Sequence, residues 1–373
     1  MENKNLNEIV SLFQIIGTPS EIQPLGEGLI NDTYRVTTIE AEAPDYVLQR
    51  INHNVFPDVE MVMNNITEVT AHIRKKLEQQ KLTDIDRRVL HFYPTKESTK
   101  DNRPEYYVHL NGNYWRMMEF IPNTLTKQEV NPESSRAAGL AFGNFQSMLS
   151  DIPVQLGETI ANFHNMEFRL KQLREMVIEN PVGRANEPEV QKLLREIESR
   201  AVEMCKAERM GREGALPKRI CHCDTKVNNI LFDQDDQVLC VIDLDTVMPN
   251  FIFSDYGDFL RSAANTVAED CPEMEKVEFR MDIYRAFTEG YIQSARTFLL
   301  PAETENLPYA AALFPYMQCV RFLWDYLNGD KYWKCQYPTH NFVRANNQFH
   351  LLLSIEKHFE EMNEIVKQSV STH

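Results

Sequence analysis

The sequence predicts an α+β chain in two parts. A small antiparallel sheet carrying one long helix spans 1–121, and a larger, mainly helical part spans 122–373. Three observations carry that prediction. Short alternating runs with glycine or Asn-Gly turns crowd the first 120 residues. One stretch among them, 58–80, has the apolar period of a helix instead. Beyond Pro122 nearly every periodic stretch is helical.

Taken in order, residues 21–36 (EIQPLGEGLINDTYRV) read as strand, glycine turn, strand, and 45–51 (DYVLQRI) as a further short strand. The helix over 58–80 places Val59, Val62, Met63, Ile66, Val69 and Ile73 on one side. Strands are predicted at Val89–Phe92 and Tyr106–Leu110. Asn111-Gly112-Asn113 then forms a hairpin signal before Tyr114–Ile121. Helices follow at 133–150, with Ser134 and Ser135 as caps, and at 166–178, 189–208 and 275–299. The stretch 305–369 is helical apart from a polar, aromatic-rich insertion near 328–341. Strand-like pieces at Asn229–Phe232 and Val238–Leu244 flank the turn Asp233–Asp236.

A chain of 373 residues that is 43% hydrophobic and 25% charged has the composition of a folded protein with room for two cores. Its formal charge of −16 argues against nucleic acid as a partner, since backbone phosphates need a basic footprint. A nucleotide is still compatible, because a few backbone N–H groups, one or two cations and Mg²⁺ can hold it locally. The polar start lacks the pattern of a secretory signal, and no apolar run reaches the length of a membrane span, so the expectation is cytoplasmic. Seven cysteines (205, 221, 223, 240, 271, 319, 335) show no paired framework and read as reduced thiols. Cys221 and Cys223 lack the partners that would complete a four-ligand zinc site.

Three motifs carry chemistry. Gly26-Glu27-Gly28 sits in a hairpin. It is either an ordinary turn or a loop whose backbone N–H groups, down to Asn31, cover a phosphate. His222-x-Asp224-x-Lys226-x-x-Asn229 has the spacing of a protein-kinase catalytic loop. In such a loop a carboxylate takes the acceptor's proton. A Lys beside it offsets phosphoryl charge, and an amide oxygen five residues on binds Mg²⁺. Nineteen residues after Asp224, Val241-Ile-Asp243-Leu-Asp245 reads as an apolar strand ending in two carboxylates on one face, both able to see a metal.

H-x-D-x-x-x-x-N followed by I-D-x-D resembles the aminoglycoside phosphotransferase and choline kinase family, a branch of the protein-kinase-like bilobal fold. Asp255-Tyr-Gly-Asp258 resembles that family's D-x-G-[ND] segment, in which the first Asp braces the catalytic loop. Longer strings are similar to the bacterial N-acetylhexosamine 1-kinase group. They include GEGLINDTY around Asn31, YVLQ ending at Gln49, NNITEVT around Glu68, AFGNFQ, DTKVNNIL, IDLDTVMP and RFLWDYLNGD, and together cover nearly the whole chain. The resemblance implies ATP and Mg²⁺ as cofactors and an N-acetylhexosamine (GlcNAc or GalNAc) phosphorylated at its anomeric hydroxyl. It implies Asp224 as base, Lys226 beside it, and Asn229, Asp243 and Asp245 around the metal. A monomer or homodimer acting on small molecules is expected.

Gln49 stands where kinases carry a phosphate-gripping Lys, which leaves Glu68 on the following helix without its usual cationic mate. A neutral amide can donate to a phosphate oxygen but contributes less. Arg50 is expected on the opposite face. Adenine is expected to meet backbone groups of Met118–Ile121, including Glu119 and Ile121. Arg321, Asp325 and Tyr332 are the candidate sugar residues. Arg321 and Asp325 could equally be an i,i+4 ion pair, and the aromatics around them could be core. The resemblance favours Arg321 and Tyr332.

Overall fold

The computed structural model describes residues 3–26, 30–97, 104–127 and 130–372. Helix α1 (Asn3–Val10) precedes strands β1 (Pro19–Pro24), β2 (Asp32–Thr38) and β3 (Tyr46–Ile51). Helix α2 (Val59–Gln79) and strands β4 (Val108–Leu110) and β5 (Asn113–Glu119) follow. The five strands form one antiparallel sheet in the order β1-β2-β3-β5-β4. Asn111 and Gly112 both have positive φ (53° and 74°), as a two-residue hairpin turn between β4 and β5 demands. One face of the sheet presents Val36, Leu48, Trp115 and Met117 to a core that Leu6, Ile9, Val10 and Phe13 close. The opposite face carries Gln49 and Arg116, which stand in register across β3 and β5. Arg116 there reaches Met63 of α2.

Helix α2 starts where Asp58 caps the Met61 N–H, and it buries the predicted stripe from Val59 to Ile73. The strand expected at 89–92 is irregular. It makes one isolated bridge, Phe92 with Met118, and bonds at Tyr93 and Glu119. The reason is shared space: β4 already pairs with Asn113–Trp115, leaving this segment only the far end of the β5 edge.

Contacts divide the chain into two compact units. The first comprises Met1–Thr126, Asp151–Ala161 and Leu231–Met248, and the second Lys127–Ser150, Asn162–Ile230 and Pro249–His373. Asn65 of α2 ties the two later segments into the first unit by donating to the carbonyls of Gly157 (2.8 Å) and Val247 (2.9 Å).

The second unit contains helices α3 (Pro132–Leu149), α4 (Met166–Glu179), α5 (Pro188–Met204), α6 (Lys206–Arg212), α7 (Phe253–Ala263) and α8 (Met281–Ala295). It continues with α9 (Pro301–Thr304), α10 (Leu307–Leu327), α11 (His340–Lys357) and α12 (Phe359–Thr372). The cap of α3 is Asn131 rather than Ser134 or Ser135. Its side chain accepts from the Ser134 N–H, while the Ser134 hydroxyl reaches back, and Pro132 fills the first helical position. Helices α3 and α8 lie close because glycines face each other's backbone. A methyl on Gly139 would meet Phe287 O, and one on Gly290 would meet Arg136 O. Among the described residues no helix is long and apolar enough to cross a membrane.

Short strands β6 (Arg219–Cys221), β7 (Ile230–Phe232) and β8 (Val238–Val241) carry the motif segments. The predicted strand through Leu244 ends early. Asp243 is left-handed (φ 62°), and Leu244–Thr246 is a 3-10 turn.

Candidate active site

In the second unit, strand β6 delivers the chain into the loop at 222–229. Asp255, in the first turn of α7, organises that loop. Its Oδ2 accepts from the His222 N–H (2.9 Å) and Gln146 Nε2 (2.7 Å), and its Oδ1 accepts from the Cys223 N–H (2.8 Å). Thr225 Oγ1 donates to the Asp255 carbonyl at 2.7 Å. This is the bracing that the D-x-G-[ND] resemblance implied. Burial raises the Asp255 carboxyl above its ordinary value, against the pull of His222 and the N–H donors. Cys223 adopts φ 63°, a left-handed conformation rare for a side-chain-bearing residue, immediately before Asp224. Burial pushes the Cys221 and Cys223 thiols well up, so both stay protonated packing groups.

Asp224 and Lys226 form an ion pair (2.6 Å) with the lysine 41% exposed. Asn229 Nδ2 donates to the Asp224 carbonyl at 2.8 Å, which turns the amide oxygen away from that carbonyl. Such an oxygen suits a hard cation. Asp258, one turn along α7 from Asp255, is buried with Arg261 beside it (3.4 Å). Its carboxyl is raised by burial, opposed by Arg261 and reinforced by the negative charge of Asp224.

Arg321 on α10 lies over the rings of Phe163 (5.5 Å) and Trp333 (5.3 Å) and donates to Gln318 Oε1 (3.1 Å). Arg169 on α4 donates to the Phe163 carbonyl (2.9 Å) and to Gln172 (2.9 Å). Among the described residues neither guanidinium has a carboxylate partner. Burial lowers both; Arg321 adds to the effect on Arg169, which falls to about 10, and Arg261 adds to that on Arg321. Arg321 also feels Asp258, which in turn feels Asp224, so the cluster is within electrostatic reach of the catalytic loop. Tyr332 is 60% exposed at its rim. Asp325 requires correction. It is fully buried and makes no pair with Arg321. Its carboxylate accepts from the N–H groups of Lys331 (3.0 Å), Tyr332 (2.9 Å) and Trp333 (3.0 Å) and from Asn341 (2.9 Å). It shapes the loop that presents Tyr332 and Trp333.

In the first unit, Gln49 Oε1 accepts from Arg116 Nε (3.0 Å) and Nη2 (2.8 Å), and Gln49 Nε2 donates to Thr33 Oγ1 (3.1 Å). Arg116 also pairs with Asp245. The other Asp245 oxygen accepts from Asn31 Nδ2 at 2.6 Å. Both Asp245 oxygens are thus engaged by Arg116 and Asn31, and the strand alternation that placed Asp245 on one face with Asp243 fails at the Asp243 turn. Glu68 needs correction too. It lies on the exposed face of α2, and the cation beside Gln49 comes from β5. Arg50 bonds Asp32 (2.7 Å) and Asn113 (3.2 Å), a set of partners distinct from those of Gln49. The Glu119 N–H is spent on His91 O, and its carboxylate accepts from Tyr93 (2.8 Å). Ile121 is buried, and its carbonyl accepts from Thr124. Gly26 has φ 70°, as a glycine turn requires; Gly28 lies outside the described residues.

Sequence reasoning missed Arg116 and Arg169, and it placed Asp258 only as the end of the D-x-G-[ND] segment. The signal for Arg116 was present: a lone arginine inside the strand sequence NYWRMME, where a charge breaks an otherwise apolar interior.

The sequence profile of the phosphotransferase enzyme family (APH) matches residues 21–291, and the chain belongs to this family. Solved structures of similar fold include an aminoglycoside phosphotransferase from Alicyclobacillus acidocaldarius (14% identity, 95% of this chain and 96% of that chain, TM-score 0.58). An amicoumacin kinase in complex with AMP-PNP and Ca²⁺ matches at 13% identity over 97% and 94% of the two chains, with TM-score 0.54. Plasmodium vivax ethanolamine kinase matches at 14% over 94% and 85%, with TM-score 0.53. At such identities the likeness is one of fold, and the fold is the kinase-like one expected.

Proposed function

We propose that this phosphotransferase is an ATP-dependent sugar kinase that phosphorylates the anomeric hydroxyl of an N-acetylhexosamine. In this reading Asp224 orients that hydroxyl and takes its proton, and Lys226 offsets charge on the transferring phosphoryl group. Asn229 and Asp243 are the metal-binding residues; Mg²⁺, when bound, neutralises phosphate charge. Gly26 through Asn31 cover the phosphates, with the Gln49 amide as a neutral donor. The fold neighbour captured with AMP-PNP supports ATP as donor.

The observation that carries the choice of acceptor is the cluster of Arg169, Arg321, Phe163, Tyr332 and Trp333. Two guanidiniums without a carboxylate partner among the described residues, Arg321 set against aromatic faces, suit an oxygen-rich ligand with apolar ring faces. A cationic acceptor such as choline or an aminoglycoside would meet like charge there. ADP release measured over N-acetylhexosamines, plain hexoses, amino alcohols and aminoglycosides tests this. Turnover confined to the amino alcohols or aminoglycosides would overturn the sugar reading, and no turnover with any acceptor would overturn the kinase reading.

A further inference from the structure

β3 offers Gln49 where the related kinases place a cation, and a chain that transfers phosphate without it has to hold its phosphate-facing groups some other way. The structure puts a buried arginine on the adjacent strand, directly across from Gln49. Arg116 is 2% exposed, and three of its nitrogens act at once. Nε and Nη2 close on the single oxygen Gln49 Oε1, and Nη1 pairs with Asp245. Because Oε1 is captured, the Gln49 amide has one orientation: oxygen toward β5, N–H₂ toward Thr33 of β2. Because Asp245 is captured, so is the turn that contains it. Asn31 holds its second oxygen while accepting from the Asn52 N–H (3.0 Å), and Asn65 holds the Val247 carbonyl at the end of the same turn. Side chains from β5, α2 and the residue preceding β2 thus fix the segment 245–247. Asp243, in its left-handed conformation, begins that turn.

We propose that Arg116 is the positioning residue of the phosphate-donor side: from β5 it supplies the cation β3 lacks, by setting the Gln49 amide as a donor and locking the Asp243–Val247 turn. The proposal rests on the kinase reading above. The arrangement differs from a buried ion pair kept for packing. A buried pair can be replaced by apolar residues of similar volume with little loss of stability, whereas a positioning pair cannot be replaced without loss of function.

The full chain is assayed as Arg116→Lys and as the double variant Arg116→Met/Asp245→Leu, by thermal melting, steady-state turnover and calorimetric binding of AMP-PNP with and without Mg²⁺. Arg116→Lys keeps the charge beside Asp245 but cannot grip Gln49 with two parallel nitrogens. Its expected melting temperature is close to that of the unaltered chain. Its turnover falls about tenfold or more, and the gain in AMP-PNP affinity given by Mg²⁺ shrinks while metal-free affinity stays within about threefold. The double variant should fold and show a larger loss of both turnover and Mg²⁺-dependent affinity. Turnover and Mg²⁺-dependent affinity both unchanged in Arg116→Lys overturn the proposal, as does a folded double variant with the activity of the unaltered chain. If the unaltered chain binds no nucleotide, the kinase reading itself fails, which is seen before any variant is made.

Discussion

Asp255→Asn isolates the brace beneath the catalytic loop with almost no change in volume. The carboxylate accepts three N–H donors at 2.7–2.9 Å in a fully buried site. An asparagine can place its oxygen at the Oδ2 position and keep His222 and Gln146, now as neutral bonds. Its NH₂ then faces the Cys223 N–H, donor against donor. Leaving that buried pair unsatisfied costs about 2–3 kcal/mol, and loss of charge assistance at the two remaining bonds adds about 1–2 kcal/mol. The sum, about 3–5 kcal/mol, corresponds to a fall in melting temperature of roughly 10 °C for a unit of this size. Because the orphaned N–H belongs to Cys223, whose strained φ of 63° sets the position of Asp224, turnover should fall further than stability alone explains. Scanning fluorimetry and steady-state turnover, read well below the variant's transition, check both. A variant that melts within about 2 °C of the unaltered chain and turns over at its rate would refute the bracing argument.

Three further outcomes follow from the same geometry. His164 is partly buried, with its Nδ1 enclosed and unbonded, and desolvation, with Arg321 and Arg169 nearby, holds its imidazole well below the ordinary 6.5. The native chain then binds fewer protons than the unfolded one, so stability is lost as pH falls below about 6.5, by up to about 1.4 kcal/mol per pH unit. His164→Phe should flatten melting temperature against pH between about 7 and 5; parallel curves for the two proteins would contradict this. Gly290→Ala sets a methyl against the Arg136 carbonyl and should cost about 1–3 kcal/mol by forcing α3 and α8 apart; denaturant melts showing no loss would mean the helices separate freely. Asp325→Ala frees the N–H groups of 331–333. It should raise the acceptor KM about tenfold or more while leaving that for ATP alone, and an unchanged acceptor KM would argue that this loop meets no substrate.

Much of the chemistry was legible because it is local. The catalytic loop depends on short spacings, and the Asn111-Gly112 turn and the α2 stripe rest on residues whose backbone needs are fixed within a few positions. Local rules fail where a side chain has a choice of partners. Strand alternation, which holds only while φ stays extended, would put Asp245 on the face of Asp243; the left-handed Asp243 breaks that period, and Arg116 and Asn31 take the carboxylate. Asp325 stood four residues from Arg321, but a loop of unpaired N–H groups offered it more hydrogen bonds than one guanidinium could. Glu68 follows β3 at the place of a kinase's ion-pairing glutamate, but the face of α2 it occupies is exposed.

The sequence by itself determined the order of elements, the kinase-like fold and the loop that carries Asp224, Lys226 and Asn229, because periodicity, turn chemistry and motif spacing act over a few residues. Tertiary structure alone decided which buried charges are satisfied and by whom. Arg116 reaches Asp245 across 129 positions, and Gln49 across 67. No local rule selects among the acceptors a buried guanidinium could take; the fold does, by leaving those carboxylate and amide oxygens beside it where water is excluded.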